Sequence, residues 1–247
     1  MNLSYPDVAR SLLDHIDTQS DAVDEVAALI AASLLDDGVV QAFGTGHARL
    51  IVHEMSGRAG GLVPVNLVRL GDLVTYGGRP PSELADPLLE RDPSLAAPVL
   101  ELSGAREGDV FLIASNSGIN GSVVELASLA KARGHSVVAI TSLAHSRSVD
   151  SRHPSGKKLY ELADITLDTG APPGDATIRI APGIDVGAVS SLGGVVLVQM
   201  LTEAVCRMLQ EAGQVPYVYR SMNLPGSDET NALLEAKYRG RVRPIEP

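Results

Sequence analysis

The sequence predicts an α/β fold, a three-layer α/β/α sandwich around a five-stranded parallel sheet, with N-terminal helices packed on it. Short apolar runs of strand length alternate along the chain with segments of helical periodicity, which is typical of a parallel sheet covered on both faces. Glycine, serine, threonine and asparagine follow directly after several of these runs. Because ligands of such sheets bind beyond the carboxyl ends of the strands, we expect a site at these residues.

Two helices are predicted ahead of the sheet. Ser4 is suited to cap a helix in which Val8, Leu12 and Ile16 recur at helical spacing. A second helix ends at Gly38, a residue typical of helix ends. Its apolar stripe consists of Val23, Val26, Ile30 and Leu34.

Five apolar runs are predicted as strands, over residues 39–43, 63–68, 110–114, 136–140 and 165–167. Helices are predicted over 47–60, 122–133, 158–163 and 228–238, a long helix is predicted within 183–212, and a polar loop over 143–157. Residues 69–108 contain many prolines and acidic residues, which predicts an irregular excursion with one helix near 94–102. No linker interrupts the chain, so we expect a single domain over 1–247, with N-terminal helices over 1–37 and a C-terminal extension over 213–247.

The composition disfavours several classes of function. The 247 residues are 45% hydrophobic and 20% charged, which is ordinary for a soluble globular protein. Six Tyr, two Phe and no Trp leave few rings for base stacking, and a net charge of −10 disfavours a binder of phosphate backbones. No nucleic-acid partner is therefore expected. The basic tail is interpreted as a solvated end; it contains Lys237, Arg239, Arg241 and Arg243.

Cysteine usage and hydropathy indicate the cellular compartment in which the protein is expected. The single cysteine, Cys206, excludes an intrachain disulfide framework and a cysteine-based zinc site, and its apolar surroundings predict a buried thiol. Asp7 and Asp14 interrupt any N-terminal apolar run, so no signal peptide is expected. The longest uncharged apolar stretch, over 186–202, is too short and too rich in small residues for a membrane span. We expect a cytoplasmic protein without a membrane partner.

The first candidate loop is Gly44-Thr45-Gly46-His47, between a predicted strand and a predicted helix. Glycines at this point let backbone N–H groups approach an anion, and the helix dipole favours negative charge. The loop does not fit a dinucleotide fingerprint, because Arg49 replaces the third glycine and the second strand ends in Arg69 instead of an acidic ribose ligand. No cofactor is expected.

The second candidate loop follows the third predicted strand and reads Ser115-Asn116-Ser117-Gly118-Ile119-Asn120-Gly121-Ser122. Its small neutral donors can surround a phosphate without adding charge. Turn chemistry is the alternative for Ser115 and Ser117. Ser122 and Glu125 have the spacing of a capping box, so a helix cap is the alternative for Ser122.

With these loops in this order, the chain resembles a SIS (sugar isomerase) domain over roughly residues 20–212. The resemblance implies a flavodoxin-like parallel sheet that binds a sugar phosphate. It places the second loop, including Ser115, Asn116, Ser117, Gly118, Asn120 and Ser122, at the phosphate, and Gly44, Thr45 and Gly46 at the sugar. The whole chain, including Pro216-Tyr217-Val218 and the segment 226–231, most resembles a bacterial branch of SIS-domain proteins often described as related to phosphoheptose isomerases.

One segment of that resemblance carries a candidate for catalysis. His53-Glu54-Met55-Ser56-Gly57-Arg58 resembles the Glu-Glu-Leu-Thr-Gly-Arg segment of phosphoheptose isomerases, whose second glutamate is catalytic, and so places Glu54 at that position. His47 lies two turns earlier, about 10 Å away on the same line of the predicted helix. A carboxylate flanking an apolar stripe is suited to act as a base. An exposed glutamate or an ion pair at a subunit interface is the alternative.

The chain departs from phosphoheptose isomerases on the long C-terminal helix. Those enzymes carry a Gln and a His there that help to bind metal or transfer protons, whereas residues 189–197 contain no His. A metal site of that type is therefore not expected.

Further polar residues follow the fourth and fifth strands. Ser142 and Asp175 occupy positions that face a site on this fold, although a turn is the alternative for Asp175. His145 and His153 lie in the polar loop after the fourth strand and could reach a sugar phosphate. A solvated loop is the other interpretation for both histidines.

The long C-terminal helix also bears on assembly. Gly187, Ser190, Gly193 and Gly194 put small residues through it, which suits a core or a symmetric interface. The resemblance implies at least a homodimer, with Glu54 or His47 near the boundary.

Three functions remain open: an aldose–ketose sugar-phosphate isomerase acting through an enediol, a phosphosugar lyase or etherase that uses the same base, and a non-catalytic phosphosugar sensor. We favour the isomerase, because the DNA-binding helix pair or partner domain that sensors usually require does not accompany this domain.

Overall fold

The computed structural model describes residues 4–244. Five parallel strands form its main sheet: β1 (Val40–Gly44), β2 (Val65–Val68), β3 (Val110–Ala114), β4 (Ser136–Thr141) and β5 (Ile165–Asp168). They lie in the order β2-β1-β3-β4-β5, the flavodoxin-like arrangement. The predicted α/β fold with a five-stranded parallel sheet is confirmed.

Helices cover both faces of this sheet. They are α1 (Tyr5–Asp17), α2 (Ser20–Leu35), α3 (Arg49–Met55), α4 (Asp72–Thr75), α5 (Ala96–Ser103), α6 (Gly121–Ala132), α7 (Leu143–Arg147), α8 (Leu159–Leu162), α9 (Ser190–Glu211) and α10 (Ser227–Lys237). Successive side chains of a strand point to opposite faces. In β3, Leu112 and Ala114 therefore join the core under α1, α2, α3 and α9, whereas Phe111 and Ile113 join the core under α5 and α6.

The two N-terminal helices form as predicted. The Asp7 carboxylate accepts hydrogen bonds from the hydroxyl of Ser4 at 2.6 Å and from its backbone N–H at 3.1 Å, which caps α1 and lowers the pKa of Asp7. Between α1 and α2, the side-chain amide of Gln19 donates to the carbonyl of Asp168 and accepts from its N–H, both at 2.7 Å. This amide occupies the outer edge of β5.

The helix predicted over 47–60 is wrong in both its start and its length. Residues Gly46–Ala48 form a 3-10 turn, and α3 ends at Met55 because Ser56 is extended and Gly57 has a φ of +63°. A 3-10 turn has three residues per turn instead of 3.6. The predicted straight line from His47 to Glu54 therefore does not form.

The long helix predicted within residues 183–212 forms as α9 but begins only at Ser190, and the residues before it form no helix. Strands β6 (Ala176–Ala181) and β7 (Ile184–Ala188) form an antiparallel hairpin there, outside the main sheet. Apolar and polar residues alternate on both sides of Pro182-Gly183, which is a hairpin signal. Gly187, expected on the long helix, lies in β7 with a φ of +77°.

Helix α9 packs in the core of the fold. A Cβ on Gly193 would lie 2.3 Å from the carbonyl oxygen of Thr169, and one on Gly194 would lie 2.2 Å from Ile51, so both glycines serve close packing within the chain. Among residues 4–244, α9 is the one helix long and apolar enough to cross a membrane, by length and composition alone. Its buried residues belong to the core under α2 and α3. Cys206 on this helix is only half-buried, and that burial raises the pKa of its thiol.

The basic tail is solvated only in part: Lys237 and Arg239 are exposed, whereas Arg241 and Arg243 are half-buried. Arg241 Nη2 lies 2.6 Å from Oδ1 of Asp109, and Arg243 pairs with Asp72; both carboxylates are buried. These partners lie more than a hundred residues away along the chain, so composition alone does not reveal them.

A small aromatic cluster anchors the extension before the tail. Tyr238 packs with Val39 and Val63, and Tyr217 and Tyr219 contact the same cluster. Burial raises the pKa of Tyr219 and of Tyr238 to about 12.

Candidate functional site

The carboxyl ends of the central strands meet at one edge of the sheet. Gly44 of β1 pairs with Ala114 of β3, and Ala114 pairs with Ile140 of β4. Because the strands are parallel and in register, the segments that follow them leave the sheet side by side. The two candidate loops predicted from the sequence are therefore neighbours.

The second loop turns its carbonyls to one side. The carbonyls of Asn116, Gly118 and Ile119 accept hydrogen bonds from the backbone N–H groups of Ser142 at 3.0 Å, Leu159 at 2.8 Å and Arg152 at 3.0 Å. All three donors belong to the segment 142–159. The segment 142–159 therefore packs against one side of the loop and fixes its backbone through these hydrogen bonds.

The N–H groups of the same peptide units point to the other side. A trans peptide unit directs its C=O and the N–H of the next residue in opposite directions, and residues 4–244 contain no cis peptide. The N–H groups of Ser117, Ile119 and Asn120 therefore point away from the segment 142–159. Backbone N–H groups at the start of a helix, here α6, are suited to bind an anion.

The side chains of this loop are neutral and mostly engaged. Ser115 Oγ accepts from the N–H of Gly118 at 3.2 Å, which closes the turn. Asn116 Oδ1 accepts from Thr169 at 3.3 Å, and Asn120 Oδ1 accepts from the Arg152 guanidinium at 2.7 Å. Within residues 4–244 the half-buried Ser117 makes no side-chain hydrogen bond, which leaves its hydroxyl available to a ligand.

Two glycines allow the loop its shape. Gly118 has a φ of +64°, and a Cβ there would lie 3.2 Å from Thr141 Oγ1. At Gly121, a Cβ would lie 2.1 Å from the carbonyl oxygen of Arg91. The backbone of the excursion thus lies directly against the N-terminus of α6.

The predicted capping box of Ser122 and Glu125 is wrong. Helix α6 begins at Gly121 with Asn120 as its cap residue, so Ser122 lies within the first turn. Its hydroxyl donates to the carbonyl of Glu90 at 2.8 Å, because the excursion occupies the position that the cap would need. The Glu125 carboxylate instead lies 2.8 Å from Nε2 of His153.

The first loop opens onto a cleft of about 490 Å³. Gly44, Thr45 and Gly46 form its floor, and Gly46 adopts a φ of +55°. The Glu90 carboxylate lies above this floor, at 3.4 Å from where a Cβ on Gly46 would be. Since the Glu90 carbonyl also accepts from Ser122, the excursion joins the cleft to the second loop.

Five charged or titratable residues of the cleft were not among the predicted site residues: Arg49, His53, Arg69, Asp86 and Glu90. Arg69 directly follows β2, so the rule that selects residues after strand ends would have found it. Glu90 lies in the irregular excursion, where periodicity carries no signal. Arg49 Nε donates to the carbonyl of Gly46 at 3.0 Å, which ties α3 to the floor of the cleft.

The structure does not bring Glu54 to this cleft. Glu54 Oε1 accepts from Nε2 of Gln199 on α9 at 2.8 Å and also pairs with Arg58. The neighbouring His53 lines the cleft instead, and His47 is exposed in the 3-10 turn.

A phosphoheptose-isomerase type of metal site does not fit the residues around Glu54. One carboxylate, the amide of Gln199 and the guanidinium of Arg58 form a poor donor set for a transition metal. Within residues 4–244, no three His, Cys, Asp or Glu side chains are grouped so that they could hold a metal ion.

Two other predicted residues hold the site's framework. Ser142 Oγ accepts from the N–H of His145 at 2.9 Å and donates to the carbonyl of Ala171 at 2.6 Å, so it caps α7 inside the predicted polar loop. Asp175 has a φ of +70° and accepts from both the N–H and the hydroxyl of Ser190, at 2.8 and 2.6 Å. Its carboxylate thereby fixes the start of α9.

The two histidines of the segment 142–159 are also engaged within the chain. His145 Nδ1 lies 3.2 Å from the N–H of Gly174. His153 lies between Glu125 and Ser155, with ring nitrogens 2.8 Å from each partner. His153 is thus part of the support behind the second loop.

Comparison with known proteins shows the family to which the chain belongs. A profile of the SIS domain family matches residues 4–142, more than half of the chain. A UPF0309 protein of Listeria monocytogenes is 36% identical over 245 residues, which is 98% of this chain and 99% of the relative. This chain is a SIS-domain protein of the UPF0309 family.

Other relatives and solved structures extend the comparison. A UPF0309 protein of Halalkalibacterium halodurans is 38% identical to this SIS-domain protein over 230 residues, 93% of each chain. A phosphoheptose isomerase from Francisella tularensis has a TM-score of 0.56 at 18% identity, covering 82% of this chain and 95% of its own. A phosphoheptose isomerase from Neisseria gonorrhoeae has a TM-score of 0.51 at 20% identity, covering 80% and 92%. At these identities the solved structures establish the shared fold.

Proposed function

We propose that this SIS-domain protein binds a sugar phosphate across the two loops and interconverts its aldose and ketose forms. The observation that carries the proposal is the orientation of the second loop, whose Ser117, Ile119 and Asn120 N–H groups point away from the segment 142–159 beside the N-terminus of α6. The Ser117 hydroxyl adds a neutral donor on the same loop. Together these groups would hold the phosphate.

A site of this kind tolerates the negative charge of the whole protein. Backbone N–H groups and a helix N-terminus act at hydrogen-bond distance, whereas surface charges are screened by salt over about 10 Å. The net charge of −10 therefore disfavours polyanions without preventing the binding of one phosphate.

The sugar would extend from the phosphate into the cleft over Gly44, Thr45 and Gly46. The Glu90 carboxylate and the Arg69 guanidinium line that cleft and offer an acceptor and a donor for sugar hydroxyls. Because the phosphate lies at the far end of the ligand from the reacting carbons, its binding energy would orient them.

Glu54 is the proposed base. It would take the proton from the carbon next to the carbonyl while the carbonyl oxygen gains a proton from His47 or from water, which gives an enediol. Return of a proton to the adjacent carbon, with loss of one from the other oxygen, gives the isomer. Since Glu54 faces Gln199 instead of its own cleft, we propose a homodimer in which Glu54 serves the site of the second copy. We also propose that this homodimer is cytoplasmic.

The same observation favours a second candidate function. A glutamate held by Arg58 and Gln199, away from the cleft, suits a protein that binds a sugar phosphate without transforming it. A lyase or etherase using Glu54 as its base needs the same approach of Glu54 to the ligand as the isomerase.

Proton exchange separates these functions. The protein would be incubated in deuterated water with five- to seven-carbon aldose and ketose phosphates, and products followed by NMR. Deuterium at the reacting carbon together with the isomer supports the isomerase, and an eliminated product supports the lyase. Binding in a thermal-shift assay without exchange supports the sensor.

The role of Glu54 is tested by Glu54→Gln, with Glu203→Gln as the matched control. Glu203, on α9, pairs with Arg207 one turn away, as Glu54, on α3, pairs with Arg58. We expect Glu54→Gln to lower kcat at least a hundredfold and Glu203→Gln to leave it unchanged. Full turnover by Glu54→Gln would exclude it as the base.

A further inference from the structure

The side chain of Asn120 is turned away from the helix that it precedes. An asparagine at the cap position usually accepts a hydrogen bond from a backbone N–H of the first helical turn. Asn120 makes no such bond to α6. Its Oδ1 accepts instead from Nη1 of Arg152 at 2.7 Å. Within residues 4–244, the N–H groups of Gly121 and Ser122 at the start of α6 make no hydrogen bond. Arg152 thus holds the cap oxygen away from these donors.

The same hydrogen bond fixes the direction of the Asn120 amide. A guanidinium has only donors, so the amide atom that faces it must be the oxygen. A flipped amide would place two N–H groups against each other. Nδ2 of Asn120 makes no hydrogen bond to any residue from 4 to 244, and it is not enclosed by the protein, although the residue as a whole is buried. Two amide donors of the second loop therefore remain available to a ligand.

Arg152 contacts two successive residues of the second loop. Its backbone N–H donates to the carbonyl of Ile119 at 3.0 Å, and its guanidinium donates to Asn120. In the part of the chain that the structure describes, the exposed Arg152 forms no ion pair. The Glu125 carboxylate of α6 lies 2.8 Å from the neighbouring His153 instead. The hydrogen bond of the Arg152 side chain therefore goes to the amide and not to a carboxylate.

We propose that Arg152 is a positioning residue for phosphate binding: by holding Oδ1 of Asn120, it turns the Nδ2 donors of that amide to the phosphate of a sugar phosphate. It also keeps an acceptor oxygen away from the start of α6, where it would compete with the oxygens of the phosphate for the N–H groups. This inference rests on the proposed sugar-phosphate function. It gives the segment 142–159 a part in ligand binding beyond the support of the loop backbone.

Arg147 provides a matched control in the same segment. It is also an exposed arginine, and its guanidinium lies 5.8 Å from the ring centre of Tyr160. No hydrogen bond joins its side chain to the second loop within residues 4–244. Arg147→Met therefore removes the same charge as Arg152→Met but leaves the Asn120 amide in place.

The experiment measures the affinity of the full-length protein for ribose 5-phosphate, fructose 6-phosphate and sedoheptulose 7-phosphate by calorimetry. We expect Arg152→Met to lower the affinity for the sugar phosphate that binds wild type about tenfold, because the amide is no longer held with its donors towards the ligand. Arg147→Met should leave the affinity unchanged. Arg152→Lys keeps a donor for Oδ1 without the planar geometry of a guanidinium, so it should recover part of the loss.

A double-mutant cycle tests whether Arg152 acts through Asn120. If it does, Arg152→Met/Asn120→Ala should bind no more weakly than Asn120→Ala alone. Additive losses would show that Arg152 attracts the ligand by its own charge and would overturn the positioning role.

NMR of the ¹⁵N-labelled protein supplies a readout that a purely structural role would not change. The side-chain NH₂ signals of Asn120, assigned by their loss in Asn120→Ala, should shift when the sugar phosphate binds to wild type and to Arg147→Met. In Arg152→Met at saturating ligand, the shift should be clearly smaller.

Three results would overturn the inference while leaving sugar-phosphate binding intact. They are unchanged affinity in Arg152→Met, equal losses in Arg147→Met and Arg152→Met, and NH₂ signals of Asn120 that do not respond to the ligand in wild type. Absence of binding of all three sugar phosphates by wild type would overturn the proposed function and this inference together.

Discussion

The loops after β1 and β3 lie on neighbouring strands but are built in opposite ways. The loop after β3 is neutral and largely buried, with three carbonyls bonded to the segment behind it. The loop after β1 opens onto a cleft lined by charged side chains, among them Arg49, Arg69 and Glu90. The loop after β3 is fixed by backbone contacts, whereas the cleft beside the loop after β1 depends on long side chains that can change rotamer.

This difference separates two tasks of a ligand site. A fixed set of backbone N–H groups suits a group that is the same in every ligand, such as a phosphate. A cleft lined by long charged side chains suits the variable part, because its specificity changes with a few side chains while the backbone stays in place. The following predictions test this division, from the largest expected effect to the smallest.

Gly121→Ala should distort the loop after β3 and destabilise the protein. The new Cβ would lie 2.1 Å from the carbonyl oxygen of Arg91, so the backbone must shift, at a cost of about 3 kcal/mol in the free energy of unfolding. Gly71→Ala is the control beside the open cleft, where the glycine has a φ of −60° and no atom within 4 Å of the new Cβ. It should change stability by less than about 0.5 kcal/mol in urea denaturation. Equal costs would contradict the contrast between the two loops.

Ser117→Ala should weaken the phosphate contact without affecting the fold. Loss of one hydroxyl donor to a charged phosphate predicts about tenfold lower affinity for sugar phosphates and for inorganic phosphate alike. The control is Ser128→Ala, further along α6, and calorimetry should find its affinity unchanged. The melting temperatures of both variants should match that of wild type.

Arg49→Gln should affect only ligand contacts made in the cleft beside the loop after β1. Because Arg49 is exposed and lines the cleft, we expect about threefold weaker binding of a sugar phosphate and unchanged binding of inorganic phosphate. Arg207→Gln, an exposed arginine of α9, is the control. A matching loss for inorganic phosphate would show that the cleft takes part in holding the phosphate and would remove the division of tasks.

Alkaline pH should loosen the extension while leaving the β3 loop in place. Burial raises the pKa of Tyr219 and Tyr238 to about 12, from an unfolded value near 10. The folded state then binds more protons than the unfolded state between pH 10 and 12, so stability is complete below pH 10 and falls as the pH rises through 12.

We expect a melting temperature a few degrees lower at pH 11 than at pH 9, with tyrosine ionisation followed by absorbance at 295 nm. Tyr238→Phe should reduce this drop, whereas Tyr160→Phe, outside the extension, should not. An equal drop in all three proteins would exclude the buried tyrosines as its cause.

The sequence predicts the sheet and the meeting of the two loops well, and the physical reason is local. An apolar run of strand length, followed by Gly44 or by Ser115, needs no distant residue to be recognised. In a parallel sheet the ends of such strands necessarily reach one edge. Ser115 and Thr45 could therefore be placed from the chain alone.

What the sequence did not predict depends on partners far away along the chain. Ser122 has the pattern of a helix cap, but the backbone of Glu90 and Arg91 occupies that position. Glu54 turns towards Gln199, which lies 145 residues further on. The tail arginines pair with Asp72 and Asp109, and no periodicity links such pairs. Long-range contacts of this kind decide which polar side chains remain available to a ligand.

The amide of Gln19 has a consequence for the behaviour of the protein in solution. An edge strand with unpaired N–H and C=O groups is a template on which another chain can add a strand. Gln19 satisfies the outward N–H and C=O of Asp168 with a single side chain, as one peptide unit of an added strand would. The sheet therefore ends at β5 with the outward groups of Asp168 already satisfied, which disfavours the addition of a strand at this residue.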